Sequence, residues 1–345
     1  MLAARYVGPG RVEAGRIAMP KIGDEEALIA VEACGFCGSD INIVAGTHPR
    51  AKAPLTLGHE LAGRIVKISS SQNGFGVGDL VTVYPLISCG RCHACTHGNS
   101  HVCRDLRLFG FDLDGGMAQF VKVPVSALLK LPRDMSARVG ALIEPLAVAV
   151  HGVARARLEG VQVVAVLGAG PIGLLTALVV QAHGIHHVVI SDVLPSRIEL
   201  ANSLGLHAVR AGEQLRRVLM ELSRQNGADL IFECAGQPSS AREMTALVRP
   251  RGVIVNLAVF KRPVEIDMQA INFREIEMVG SRVYQRDDFE VAIELASRLP
   301  IDRIVSHAFS LQDVSVAFEA FRSGEVCKAL ILPPAQELQN AYEPV

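Results

Sequence analysis

Three short stretches in the first half of the chain carry side chains able to hold a metal ion. In "CGRCHACTHGNSHVC" (89–103), Cys89, Cys92, Cys95 and Cys103 follow the spacing C-x2-C-x2-C-x7-C. Short turns at that spacing can gather four thiolates tetrahedrally around one ion, and sulfur selects zinc or an iron–sulfur cluster over magnesium or calcium. A zinc closed by four protein ligands has no vacant position, so this lobe, about residues 86–106, is expected to hold the fold rather than to react. His93, His97 and His101 among the cysteines are expected to be solvated loop residues. A different donor set lies upstream, in "CGFCGSD" (34–40) and "LGHELAG" (57–63). Cys37, His59 and Glu60 offer a thiolate, an imidazole and a carboxylate, a mixture that suits a catalytic zinc with an open position and does not exclude cobalt or iron. Glu144 sits in the apolar "ALIEPLAVAVH" (141–151); buried unpaired it would be costly, so it is expected beside a metal or cation unless it merely opens a helix at Pro145.

Such groups need elements to position them, and after Gln162 the pattern becomes an alternation of apolar strands and amphipathic helices. "VVAVLGAGPIG" reads as a strand running into Gly168-x-Gly170-x-x-Gly173 and then a helix, with Pro171 where a first helical turn tolerates it. Gly168, Gly170, Pro171, Ile172 and Gly173 are therefore expected to bring free backbone N–H groups to a pyrophosphate. A second strand, "HHVVISD", ends in Asp192, nineteen residues after Gly173, where a carboxylate can hydrogen-bond both ribose hydroxyls and repel a 2′-phosphate. NAD is thus expected over NADP, with Arg197 near the adenine or facing solvent. Further strands are read at 207–209, 229–235, 252–258 and 275–284, with helices around 213–225 and 240–248, which completes a six-stranded doubly wound sheet. Cys34 and Cys234 read as core residues, and Cys327 has no assigned role.

Composition narrows the classes further. With 34 Lys+Arg against 35 Asp+Glu and no long run of either sign, polyanion binding is not expected, and small neutral or mildly charged partners fit better. The first fifteen residues lack an export pattern, so the reading is cytoplasmic, with reduced thiols and no disulfides. Val163–Val180 is eighteen residues without a charge, long enough for a membrane span, but its glycines and proline favour the strand-turn-helix instead.

"CGFCGSD", "LGHELAG", the four-cysteine lobe, "EPLAVAVH" and "GAGPIG", in this order, make the chain resemble the zinc-dependent medium-chain alcohol dehydrogenases over nearly its whole length. Within them, Glu60, Glu144 and "VRPRGVIVNLAVF" look most like the polyol branch of sorbitol, 2,3-butanediol, galactitol-phosphate and sugar-acid dehydrogenases. The resemblance implies an α/β fold. A mostly-β GroES-like catalytic domain (1–144 and 285–345) would be interrupted by a Rossmann NAD-binding domain (145–284), with a site in the cleft between them. It also implies two Zn2+ per chain, NAD, a polar alcohol as substrate, and a homodimer or homotetramer joined through the last strands of two cofactor sheets. In it, Cys37, His59 and one of Glu60 or Glu144 bind the catalytic zinc while the other Glu acts through water. Ser39 begins a proton relay, Arg282 helps hold polar substrates, and Phe109, Phe111 and Tyr284 belong to the pocket.

One departure from the family pattern is Asn42, three residues after Ser39, where many relatives carry a histidine. An amide cannot ionise near neutral pH, so the relay is expected to end at the ribose, at water or at His48. The expected reaction is oxidation of a secondary alcohol of a polyol, sugar or sugar acid to the ketone by hydride transfer to NAD. The alternatives are L-threonine 3-dehydrogenase, whose substrate would need a carboxylate clamp not recognisable here, and a non-catalytic NAD-binding zinc regulator.

Overall fold

The computed structural model describes residues 1–69, 74–324 and 326–334. Residues 335–345, assigned above to the catalytic domain, lie outside the described residues. The chain falls into two compact units, Met1–Glu144 with Gln285–Val345, and Pro145–Tyr284.

The first unit is built on a sheet whose spine is the strand Glu26–Phe36. Its sequence, EALIAVEACGF, is apolar on both faces, as a central strand covered on both sides must be. Ile29, Val31, Ala33, Cys34 and Phe36 have no exposed surface, and each large aliphatic or aromatic side chain so buried contributes about 1.5–3 kcal/mol. The register of this strand shifts between Leu28 and Ile29 and between Val31 and Ala33. Along one edge its first half pairs with Phe120–Pro124, and its last residues pair with Lys328–Leu332 from the far end of the chain: Cys34 with Ile331, Gly35 with Leu330, Phe36 with Ala329. Along the other edge Glu60–Ile68 runs antiparallel, setting Glu60 opposite Gly35. Three segments distant in sequence thus meet at Gly35. The cysteine-rich segment stands on a short antiparallel pair, Leu86–Ile87 with Arg107–Leu108.

The second unit is a six-stranded, wholly parallel sheet in the order His207–Arg210, His187–Asp192, Val163–Leu167, Ala228–Glu233, Val248–Asn256, Glu277–Gly280. This is the strand order of a doubly wound dinucleotide-binding sheet, which turns about its first strand and places ligands at that switch point. Leu215 and Leu219, one turn apart on the helix Glu213–Leu222, pack with Val189, Val209 and Ile231 in its core. Val163–Val180 is a strand and a helix, and no helix among the described residues is long and apolar enough to cross a membrane.

Several boundaries differ from those read in the sequence. The fifth strand starts at Val248, because Val248 pairs with Ala228 before a shift in register carries the strand on to Val253. The sixth stops at Gly280, and beyond it Val283 takes a φ of 44°, in the left-handed region that a β-branched residue rarely adopts. That strand lies at the edge of the sheet, and Tyr284, expected in a pocket, has no exposed surface and is core. Cys234 stands just past its strand, half-buried, with its thiol 4.0 Å from the Thr176 hydroxyl, rather than within the strand core.

Candidate active site

Cys37 caps the helix Gly38–Val44. Its Sγ accepts from Ser39 N–H at 3.5 Å, and the Asp40 carboxylate accepts from Cys37 N–H at 2.9 Å, so C-G-S-D works as a capping box that fixes where the thiol points. His59 and Glu60 enter from the loop and strand opposite. The sulfur of Cys37, a ring nitrogen of His59 and a carboxylate oxygen of Glu60 lie within 4.8 Å of one another.

Glu60 has a partner the sequence reading missed. Lys328, from the C-terminal strand, donates through Nζ to Glu60 Oε2 and, at 3.2 Å, to the Phe36 carbonyl. Both charged groups are almost wholly buried, at 2% exposure each. Gly35 makes the pairing possible, because a Cβ there would stand 1.9 Å from Glu60 Oε2. Glu144, in the first turn of the helix Ile143–Ala154, is also buried. It acts electrostatically on both His59 and Lys328, while the set within 4.8 Å consists of Cys37, His59 and Glu60.

The electrostatics of this cluster ask for a cation. Burial works against charge on His59, yet Cys37, Glu144 and Asp40 outweigh it and push the imidazole up to about 10. Burial pushes Asp40 up to about 6 against the pull of His59. Lys328 likewise has its pKa raised: burial opposes its charge, and Glu60, Cys37 and Glu144 overcome that. Without a metal, the acids recruit a proton onto His59; a divalent ion satisfies the same field with the imidazole neutral. His59 Nδ1 and Asp40 Oδ1 are both buried without a hydrogen-bond partner, and the Asp40 carboxylate acts on the imidazole through its charge. A soft-and-hard donor set of this kind, with His59 and Glu60 buried and Cys37 half-buried, fits zinc.

Around it, Ser39 lies half-buried on the capping turn and Asn42 one turn further along the same helix. Phe111 meets the His59 ring edge-on, with centroids 4.9 Å apart. Phe109 is buried, and its N–H donates to the Pro85 carbonyl. Arg282 is exposed, in the second unit, beside the strained Val283.

Cys89, Cys92, Cys95 and Cys103 come together within 4.8 Å. Cys92 Sγ lies 3.5 Å from Cys95 Sγ and 3.8 Å from Cys103 Sγ. The backbone N–H groups of Cys95 and Arg104 hold the Cys92 thiol down to about 6, while burial pushes Cys103 up to about 11. Four sulfurs packed this closely with no disulfide between them fit one tetrahedral ion. His93 and His97 are exposed, as expected, but His101 is buried in the lobe because the turn Ser100–Val102 folds it inward.

In the second unit, Gly168 (φ 98°) turns the chain out of Val163–Leu167 into the helix Pro171–Ala182, with Pro171 at its start and Ile172 in its first turn. A Cβ on Gly173 would fall 1.8 Å from the Gly168 carbonyl oxygen, whereas one on Gly170 would meet nothing within 4 Å. The first glycine lets helix and loop touch, and the second leaves open space over the helix N-terminus where a pyrophosphate fits. Asp192 joins this loop to the next element: Oδ2 accepts from Ala169 N–H at 2.8 Å and Oδ1 from Leu194 N–H at 3.0 Å. Arg197 is half-buried in the first turn of the helix Pro195–Ser203. Glu233, also missed, is fully buried and holds the neighbouring loop through Ala235 N–H, Gly236 N–H and the Ser240 hydroxyl. Gly173→Ala is expected to push the loop off Gly168 and raise the Kd for NADH about tenfold or more, read by titrating nicotinamide fluorescence; unchanged affinity would remove this loop from the cofactor site.

The chain is similar to known proteins along most of its length. Residues 23–133 match the alcohol dehydrogenase GroES-like domain, and residues 171–298 match the zinc-binding dehydrogenase domain. The chain is 36% identical over 324 residues to 2-dehydro-3-deoxy-L-galactonate 5-dehydrogenase of Pseudoalteromonas atlantica, covering 92% of this chain and 94% of that protein. It is 34% identical to sorbitol dehydrogenase of Halalkalibacterium halodurans (91% and 93% covered) and 33% identical to L-threonine 3-dehydrogenase of Shewanella sediminis (90% and 93% covered). Among solved structures it superposes on a zinc-binding dehydrogenase of Sinorhizobium meliloti bound to NADP, with a TM-score of 0.90, 32% identity and 96% and 99% of the two chains covered. An alcohol dehydrogenase of Escherichia coli CFT073 complexed with NADH gives a TM-score of 0.87 at 28% identity, with 96% and 99% covered. The chain belongs to the zinc-dependent medium-chain alcohol dehydrogenases.

Proposed function

We propose that this dehydrogenase oxidises a secondary alcohol of a polyol, sugar or sugar acid to the ketone with NAD, and that Cys37, His59 and Glu60 hold the zinc at which the alcohol reacts. The observation that carries the reading is the donor set itself, Cys37, His59 and Glu60 within 4.8 Å of one another, with Cys37, Glu144 and Asp40 acting on His59 and with Glu60, Cys37 and Glu144 acting on Lys328. Zinc, when bound there, supplies the Lewis acidity that lets a substrate hydroxyl lose its proton near neutral pH. NAD, when bound, supplies the hydride acceptor.

The chain's own residues do the rest. Lys328 positions Glu60, and Asp40 positions Cys37 by accepting from its backbone N–H. Ser39, two residues from Cys37, takes the hydroxyl proton; Asn42 beyond it cannot ionise, so the proton leaves to water or to the cofactor ribose. Phe111 keeps water from one face of His59. Asp192 keeps a free lone pair on each oxygen for the ribose hydroxyls, and its charge disfavours a 2′-phosphate, which supports NAD over NADP. Cys89, Cys92, Cys95 and Cys103 hold a second zinc that braces their lobe. The exposed edge strand Glu277–Gly280 is where a second copy would extend the sheet.

The test is to count zinc in the purified protein and follow NADH formation from alditols, aldonates, 2,3-butanediol and L-threonine, each repeated with NADP. The reading expects a zinc for each of the two donor sets and turnover of an alditol or aldonate with NAD. Turnover confined to threonine would move the assignment to that branch, and NADH binding without turnover of any alcohol would leave a non-catalytic protein.

A further inference from the structure

The loop after the capping helix places His48 close to the donor set, and its hydrogen bonds bear on whether it can end the relay as the sequence suggested. Phe111 bridges His48 and His59: each imidazole meets the phenyl ring edge-on at a centroid distance of 4.9 Å, so the two imidazoles are at most about 10 Å apart. An open chain of five or six carbons, with bonds of about 1.5 Å, can reach across much of that interval.

The protonation of His48 follows from its partners. Nδ1 accepts from the backbone N–H groups of Arg50 at 3.4 Å and Ala51 at 3.2 Å, so a neutral ring carries its proton on Nε2, on the edge facing away from that backbone. Burial, then the neighbouring Arg50, lowers its pKa, with Asp112 acting the other way, so the ring stays neutral at pH 7. With its lone pair engaged at Nδ1, His48 is a donor and is poorly placed to end a proton relay. Its neighbours are polar on both signs. Arg50 donates to the Leu106 carbonyl and lies 3.4 Å from Asp112, whose Oδ2 also accepts from Leu108 N–H at 3.0 Å.

We propose that His48 binds substrate: its Nε2–H donates to an oxygen several carbons away from the reacting hydroxyl, so the enzyme selects chains oxygenated along their length over simple secondary alcohols. This rests on the secondary-alcohol reading above. The oxygen can be the hydroxyl of an alditol or the carboxylate of an aldonate, and the same experiment tells them apart.

Wild type, His48→Leu and His48→Gln are compared by kcat/KM on an alditol, the aldonate of equal length, and 2-butanol, which has the reacting group and no distal oxygen. His48→Leu is expected to lower kcat/KM for the oxygenated substrate by about threefold to tenfold where the lost partner is a hydroxyl, and by about tenfold to a hundredfold where it is a carboxylate. Turnover of 2-butanol should hold, which also shows the variant to be folded, and His48→Gln, which keeps an N–H donor, should recover part of the loss. Equal losses on all three substrates, or no loss on any, overturn the proposal while the dehydrogenase reading stands. A wild-type enzyme that oxidises none of them overturns both.

Discussion

Cys37→Ser is expected to lower kcat by at least about a thousandfold while leaving NADH binding intact. A bound zinc stabilises developing charge by several kcal/mol, and each 1.36 kcal/mol is a factor of ten in rate. Serine is the informative replacement because it remains a good N-cap, so the helix Gly38–Val44 and the Asp40 half of the capping box survive the change. What is lost is the thiolate among the three donors gathered within 4.8 Å. Zinc content should fall by one per chain, the remainder staying on the cysteine lobe. A variant that keeps full activity and its metal would remove Cys37 from the site.

Lys328→Met is expected to destabilise the metal-free protein by about 3–5 kcal/mol, read from the urea midpoint and slope in the presence of a chelator. Removing the ammonium leaves Glu60 in a position only 2% exposed, opposite a lost cation. Glu60→Gln combined with Lys328→Met should recover more than half of that loss, since a buried amide costs far less than a buried unpaired carboxylate. Zinc should soften the single substitution, because the metal offers Glu60 another positive partner. A single variant costing under about 1 kcal/mol without metal would show that the pair does not carry charge in the folded state.

What the sequence shows and hides follows from distance along the chain. Cys37, His59, Glu60 and the four lobe cysteines are short-range patterns, and their residue types alone limit the chemistry. The glycine loop is legible for the same reason, since Gly168, Gly170 and Gly173 meet needs that arise within six residues. Lys328 is not, because it lies 268 positions from Glu60 and meets it only through strand pairing at Gly35. A trace was there: "VCKALIL" has a single charge in an otherwise apolar strand, and such a charge needs a buried partner. Asp40 left a similar trace in the spacing of C-G-S-D. Tyr284 and His101 were misplaced because exposure depends on how a turn folds, in one case at the φ of 44° beside Tyr284, which side-chain chemistry does not encode.

The return of Lys328–Leu332 to the strand Glu26–Phe36 also sets an order of events during synthesis. At about 5–20 residues per second, a ribosome that has made Glu60 needs on the order of tens of seconds to reach Lys328. In that interval the newborn N-terminal sheet has an open edge at Cys34–Phe36 and a carboxylate awaiting its counter-ion. The counter-ion of this cluster is therefore completed last, after the whole dinucleotide sheet has emerged, and a chain released early would have the glycine loop and the three donors but not the lysine that pairs with Glu60.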